Sequence, residues 1–324
     1  MDDPLRPVGT GNGNERRSFV ASAAGRIDAV ISANDTALTR AGAQKLIAEG
    51  LVELNGQPVR KSTRVEAGDE VSYVVLVVEQ QPRLVTFNLP VLYEDDDVVA
   101  VDKPAGLAVH HAPGDDEATV ADWLLHHYDL EVAAFEVEHP GIVHRLDRET
   151  SGVLLLARNP AAQASLNAAF EARTVHKSYL AITTNRPKKD RAVIEAPIGR
   201  HPADRTRMAI TKAGREARTS YELLGNDRDQ CLLLVHPETG RTHQIRVHLA
   251  AVNAPVFGDR VYGKTGDGRH LLHAWQLDVP HPAGGRLEVT APLPADMLDV
   301  VRSMGLETVA SPYIDPQAPR RTQD

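Results

Sequence analysis

The chain has 324 residues, 42% of them hydrophobic and 25% charged, with a formal net charge of −8. That is an ordinary globular mix with room for about two domains, and no apolar run reaches the roughly 18 residues of a membrane span. A single cysteine, Cys231, excludes an internal disulfide and a Cys-based zinc cluster, and its setting in Cys231-Leu232-Leu233-Leu234-Val235 reads as a buried strand with a packing thiol.

In chain order, residues 1–15 are polar and rich in Gly and Asn. They read as disordered and lack the basic start and apolar stretch of a secretory signal, so a cytoplasmic protein is expected. Residues 16–79 read as a small α/β unit. Ile27, Val30 and Ile31 fit one helical face, and Ala43, Leu46 and Ile47 fit a second. Gly50 stops that second helix as a C-cap glycine. Leu51 to Leu54 form a short strand, Asn55-Gly56 is a hairpin-turn signal, and Val71 to Val78 form a β-rich strand. Residues 80–90, opening with Gln80-Gln81-Pro82, read as a linker.

Residues 91–308 read as one larger unit. Val98 to Val101, Gly152 to Ala157, Ser178 to Thr183, Leu232 to Val235 and Leu287 to Thr290 are predicted strands. Pro160 to Ala172 is a predicted helix, with Asn159 as its N-cap and Pro160 in the first turn, where a missing N–H costs nothing. Many strands and few helices, not in strict alternation, predict an α+β fold. The expected architecture is a mixed or antiparallel sheet with flanking helices, plus the small N-terminal α/β unit. Residues 309–324, with Pro312, Pro316 and Pro319, read as a flexible tail.

The negative total charge argues weakly against nucleic acid, but its distribution argues the other way. Residues 173–218 hold 12 Lys/Arg against 4 Asp/Glu, and RNA needs a local positive face rather than a positive total. The segment His144-Arg145-Leu146-Asp147-Arg148-Glu149-Thr150-Ser151-Gly152 sets a carboxylate between two arginines ahead of a predicted strand. Flanking cations favour an ionised carboxylate that can act as nucleophile or base, although the same string also suits an exposed salt-bridged loop. Asp147 and Glu149 could also form the carboxylate pair of a hydrolase, but the arginines oppose the raised pKa that such an enzyme needs. His243 and His248, five residues apart in the sequence, do not share a helical face, so no metal site is expected.

That nine-residue string resembles the catalytic motif of the RluA family of RNA pseudouridine synthases. Four further segments resemble the family in the same order. They are Tyr93-Glu94-Asp95 leading into Val101-Asp102-Lys103-Pro104-Ala105-Gly106 and His110; Lys177-Ser178-Tyr179; Gly240-Arg241-Thr242-His243-Gln244-Ile245-Arg246-Val247-His248; and Gly258-Asp259-Arg260-Val261-Tyr262-Gly263 with Leu272-His273-Ala274. Asp102 stands where the family usually has Asn. The N-terminal segments Arg26-Ile27-Asp28, Thr39-Arg40, Leu46 to Gly50, Val52 to Gly56 and Gly68 to Val71 resemble the alpha-L RNA-binding module of a small-subunit ribosomal protein.

The resemblance implies a cofactor-free isomerase that converts specific uridines of structured RNA to pseudouridine, with Asp147, Tyr179 and Arg246 as catalytic residues. Asp147 attacks or deprotonates the ribose, Tyr179 flanks the base and is a candidate general base, and Arg246 orients Asp147. Thr242 is read as the cap of a helix carrying Arg246. RNA contacts are expected at Arg145, which would enter the RNA where the base leaves, and at His144, Arg241, His243 and Lys103. In the N-terminal unit they are expected at Arg26, Arg40, Lys45, Arg60, Lys61 and Arg64. The substrate class implied is large-subunit ribosomal RNA or its precursor particle, in a bacterial, monomeric protein without a membrane partner. A non-catalytic RNA-binding protein and a transfer-RNA substrate are the alternatives.

Overall fold

A computed structural model describes residues 8–10, 14–35, 38, 40–76, 85–111, 117–128, 130, 139–204, 207–263, 268–315 and 319–322. The chain divides into two compact units, one drawn from residues 1–83 and the other essentially from 84–324.

The first unit contains β1 (Val8–Thr10), β2 (Asn14–Val20), β3 (Gly25–Arg26), α1 (Ile27–Asn34), α2 (Arg40–Ala48), β4 (Val52–Leu54), β5 (Gln57–Pro58), β6 (Arg64–Val65) and β7 (Glu70–Leu76). Its main sheet runs β1-β2-β7-β4-β5, antiparallel throughout. The predicted apolar faces meet in one core: Ile27, Val30 and Ile31 of α1 and Ala43 and Ile47 of α2 pack on Val52, Val71 and Tyr73. Gly50, at φ 74°, ends α2 by donating its N–H to Ile47 O, and Leu51 N–H closes the motif on Leu46 O. Asn55 and Gly56 both take positive φ and join β4 to β5 in a two-residue hairpin. Order begins earlier than the sequence predicts, because β1 and β2 take up residues 8–10 and 14–20. Residues 1–7 and 11–13 lie outside the described residues, as do 77–84, which carry the predicted Gln80-Gln81-Pro82 linker and the end of the predicted Val71–Val78 strand.

The second unit begins within the expected linker, where Val85, Phe87 and Leu89 already pack against its core. Its elements are β8 (Val91–Glu94), β9 (Val98–Lys103), α3 (Val120–His127), β10 (Ser151–Ala157), α4 (Pro160–Glu171), β11 (His176–Thr183), β12 (Arg191–Glu195), β13 (Ile198–Arg200) and β14 (Met208–Ile210). They continue with β15 (Arg218–Asp227), β16 (Gln230–Pro237), α5 (Gln244–Ala251), β17 (Leu272–Pro280), β18 (Arg286–Thr290), α6 (Ala295–Ser303), α7 (Glu307–Ile314) and β19 (Arg320–Thr322).

One large sheet runs β12-β15-β16-β11-β17-β10-β9-β8, and β18 and β19 extend it beside β17. Its pairings are antiparallel except where Ser151 and Gly152 of β10 run parallel to His273 and Ala274 of β17. This is the mixed sheet of an α+β unit. The unbroken apolar run of β10 follows from burial on both faces. Val153 and Leu155 join α4 on one side, while Leu154 and Leu156 join Trp123 and Leu124 of α3 on the other. Each such leucine contributes about 1.5–3 kcal/mol on burial, so the strand anchors whatever loop precedes it. Asn159 caps α4 by accepting Ala162 N–H at 2.8 Å. Cys231 is buried in β16 against α5.

The C-terminal segment departs from its reading as a tail. Ala310, Tyr313 and Ile314 stand at helical spacing and pack with α6, and Tyr313 meets Trp275 edge-on. Pro312 sits inside α7, where it has no N–H to offer Thr308 O, and the Ser311 hydroxyl donates there instead at 3.0 Å. β19 then pairs with β18. Among the described residues no helix is long and apolar enough to cross a membrane.

Candidate active site

The loop 143–150 enters β10, and side chains on both sides fix its course. Thr150 Oγ1 lies 2.8 Å from His270 Nε2, and Ser151 Oγ lies 3.0 Å from His273 Nδ1. His144 Nε2 accepts Leu155 N–H at 2.9 Å, and its ring stacks on Phe170. Burial pushes His144 down to about 3, assisted by Lys177, and pushes His270 and His273 down to about 4. All three are neutral hydrogen-bonding pins at ordinary pH. Gly152 follows at φ 111°, and a Cβ there would stand 2.2 Å from Ala274 O, so only glycine allows β10 to meet β17 at this point.

Lys103 is a correction to the sequence reading. It is fully buried, and its ammonium donates to Pro104 O, Leu107 O and Arg148 O at 2.7, 2.8 and 3.0 Å. Its three N–H groups are spent on backbone, so it braces the loop beside Asp147 rather than meeting RNA. His144 likewise presents no charge to a phosphate.

Asp147 meets its cation from far along the chain. Its sequence neighbours turn elsewhere, Arg145 to His110 Nε2 at 3.1 Å and Arg148 to Glu117 Oε2 at 3.1 Å. Arg246 of α5 donates from Nη1 to Asp147 Oδ2 at 2.9 Å. Arg246 is itself gripped from behind, because its Nε and Nη2 form a fork on Asp259 at 2.8 and 3.0 Å. Burial alone would raise Asp259, but Arg246 and the amides of Val261 and Tyr262 overcome it and hold the carboxyl below its ordinary range. Gly258, at φ 78°, lets this segment pass Arg269 O, which a Cβ would approach to 2.0 Å.

Thr242 does not cap α5. The N-cap is His243, in left-handed backbone at φ 56° with no side-chain cap bond. Gln244 takes over the anchoring. Its Oε1 accepts Thr239 Oγ1–H and Arg241 N–H, and its Nε2 donates to Arg218 O and Thr219 Oγ1. His243 Nε2 lies 4.0 Å from Asp147 Oδ2, and its Nδ1 lies 2.8 Å from Tyr262 Oη.

Asp147 opens on a cavity of about 540 Å³, lined also by Tyr179, Arg246, His243, Phe170 and Leu272. A bulge between Ser178 and Tyr179 breaks the β11–β17 register and re-aims the tyrosine. Burial, then the charge of Asp147, pushes the half-buried Tyr179 phenol well above its usual range. The cavity wall is cationic. Arg145, Arg173, Lys177, Arg215 and Arg241 line it and outnumber Glu171 and Glu238. Burial and Arg241 push Lys177 down to about 8, and burial with Arg215 and Arg173 pushes Arg241 down. Crowded cations of this kind favour an anionic ligand.

Residues 97–251 match the family model for RNA pseudouridylate synthase, and residues 25–71 match that of the S4 domain. The ribosomal large subunit pseudouridine synthase D of Nitrosomonas europaea is 37% identical over 85% of this chain and 83% of its own. An uncharacterized RNA pseudouridine synthase of Chloroflexus aurantiacus is 44% identical over 86% of this chain and 90% of its own. This chain belongs to the RNA pseudouridine synthase family. The solved structure of human RNA pseudouridylate synthase domain containing 1 superposes with a TM-score of 0.55 at 26% identity, covering 72% of this chain and 91% of that one.

Within the S4 domain of this synthase, Arg26 and Arg40 are exposed but hold the buried Asp28, at 2.8 and 3.1 Å. Arg60, Lys61 and Arg64 are exposed. The side chain of Lys45 lies outside the described residues. Sequence reasoning assigned no role to Asp259 or Tyr262, although the Gly258–Gly263 string was visible. It also missed His270 behind Thr150. The signal available was the motif itself, which marks residues as a set without saying which way they face.

Proposed function

We propose that this synthase isomerises uridines of structured large-subunit ribosomal RNA and that Asp147 is the carboxylate that works at the ribose. The supporting observation is the Asp147–Arg246–Asp259 chain. Asp147 is held at one oxygen, while 20% of its side chain stays accessible, and it lies on the cavity that Tyr179 also lines. Glu149 does not line that cavity, which weighs against a hydrolytic carboxylate pair. The substrate class is supported by the large-subunit name of the Nitrosomonas relative.

The reaction needs the carbon–nitrogen glycosidic bond broken, the detached uracil turned, and a carbon–carbon bond made to the same ribose. The nucleotide is flipped from the RNA into the cavity, at a cost of about a few kcal/mol that is least in loops. Arg145, Arg241 and the cationic wall hold the phosphates, and Arg145 enters where the base leaves. Asp147 attacks or deprotonates the ribose, positioned by Arg246. Tyr179 lies against the uracil. Burial, and then the Asp147 charge, keep its phenol protonated. To take the proton from the ring carbon Tyr179 must first give up its own to solvent, and any step that neutralises Asp147, by ester formation or by protonation, removes that charge's contribution and makes this loss easier. Exposed Arg60, Lys61 and Arg64 of the S4 domain add phosphate contacts.

The test is tritium release from large-subunit ribosomal RNA transcribed with uridine tritiated at ring carbon five. Wild type is expected to release tritium in the presence of chelator, and Asp147→Asn to lose on the order of 10⁴-fold or more with its fold intact. Equal release by the two proteins would remove Asp147 from the chemistry. Release from transfer RNA alone would move the substrate class.

A further inference from the structure

Arg246 touches Asp147, whereas His243, three residues earlier, stops 4.0 Å short of the same oxygen. That gap is too long for a hydrogen bond and fits one intervening oxygen, which would lie about 2.8 Å from each. The ring that faces the gap is held from behind. Tyr262 meets it edge-on at 5.6 Å, with Oη 2.8 Å from Nδ1. Met208 N–H donates into Tyr262 Oη at 2.9 Å. With Oη already accepting from Met208, the arrangement favours the phenol's own proton pointing at Nδ1, which leaves the imidazole proton on Nε2, the nitrogen nearer Asp147. The left-handed backbone of His243 at φ 56° is uncommon for a residue other than glycine, and it aims the ring.

The bridging atom must accept from Nε2–H and donate to a carboxylate. On a flipped uridine whose reacting carbon is beside Asp147, the ring oxygen of the ribose only accepts, and the 3′ oxygen is esterified. The 2′-hydroxyl does both and is attached next to the reacting carbon. We infer that His243 reads the 2′-hydroxyl of the target nucleotide, bridged between His243 Nε2 and Asp147 Oδ2, and that Met208 and Tyr262 fix the imidazole tautomer this reading requires. The assignment rests on Asp147 working at the ribose. It makes His243 a specificity residue that distinguishes RNA from DNA at the one nucleotide undergoing chemistry.

The experiment compares two large-subunit ribosomal RNA transcripts, one made with tritiated uridine and one with tritiated 2′-deoxyuridine, by release rate and by dissociation constant. The proteins are wild type, His243→Asn and Tyr262→Phe. Asn accepts the left-handed backbone but is too short to reach the hydroxyl. His243→Asn is expected to lose about tenfold on the ribose transcript and less than about twofold on the deoxy transcript. Tyr262→Phe is expected to show the same pattern at about threefold. If the deoxy transcript is not turned over, its dissociation constants complete the comparison. Equal losses on both transcripts, or no loss on either, overturn the assignment while leaving wild-type release in place. Silence of the wild type on the ribose transcript overturns the underlying reading of Asp147 together with this inference.

Discussion

Asp28 in the S4 domain and Asp147 in the catalytic unit are both carboxylates held by arginine, and they differ in what is left over. Asp28 is fully buried and takes Arg26, Arg40 and Gln44 at once. Burial works against its charge, but those three partners outweigh it and bring the carboxyl down to about 2. Asp147 takes one arginine and faces a cavity. The first carboxylate has its hydrogen bonds satisfied within the protein and joins α1 to α2. The second is oriented but incompletely satisfied, and that is the condition its proposed role at the ribose requires. The difference does not lie in the arginines, which are present in both, but in whether the second partner shell is protein or ligand.

Three substitutions would break or sharpen this contrast. The largest effect is expected at Arg246, because it serves two aspartates. Arg246→Lys keeps the charge but cannot fork onto Asp259 while reaching Asp147. Turnover should drop about 100-fold or more, and stability by about 3 kcal/mol, because Asp259 is buried and left poorly paired. Release assays and thermal unfolding read the two losses separately. Full activity would show that Asp147 needs no guanidinium.

Lys103→Met comes next. It strips donors from three carbonyls around the Asp147 loop and should cost about 2–4 kcal/mol, with faster hydrogen exchange over 104–107 and 148–150. Burial holds Lys103 down to about 7. Its folded-state pKa lies below its unfolded value, so the unfolded chain binds more protons between about pH 7 and 10, and this group's contribution to stability rises with pH across that window.

The smallest effect on rate is expected at Asp28. Asp28→Asn should leave turnover on saturating RNA within about twofold and weaken the S4 domain alone, by about 1–3 kcal/mol. In the wild type the depressed pKa means that the contribution of Asp28 is present above about pH 4 and is lost as pH falls through about 2. Hydrogen exchange of α1 and α2 is the right measurement, since both tryptophans, Trp123 and Trp275, lie in the other unit. A turnover defect equal to that of Arg246→Lys would erase the contrast between the two aspartates.

The local part of this structure was legible in the sequence, and the long-range part was legible only as lists. Gly50, Asn55-Gly56 and the Asn159-Pro160 start of α4 announce themselves because their physics is confined to a few residues. The pairing of Arg246 with Asp147 joins residues 99 apart. It was expected from shared motifs, while the second grip by Asp259 was not. Lys103 reads as a free cation in sequence because nothing local shows that three carbonyls converge on it. The tail was misread because Pro312 outweighed the Ala310, Tyr313, Ile314 spacing, and the Ser311 hydroxyl that compensates for it is a structural detail. The arginines beside Asp147 were credited with its electrostatics, but each makes its hydrogen bond elsewhere, Arg145 with His110 and Arg148 with Glu117.

The pins behind the Asp147 loop carry one more consequence. Burial holds His144 down to about 3 and His270 and His273 down to about 4, so none changes charge between about pH 5 and 8, the range in which histidines usually act as sensors. Acidification of the surroundings by a unit therefore leaves the bonds at Thr150, Ser151 and Leu155 as they were. The histidine pins are thus insulated from the cell's proton concentration, and the pH response of this loop near neutrality falls to Lys103, held down to about 7.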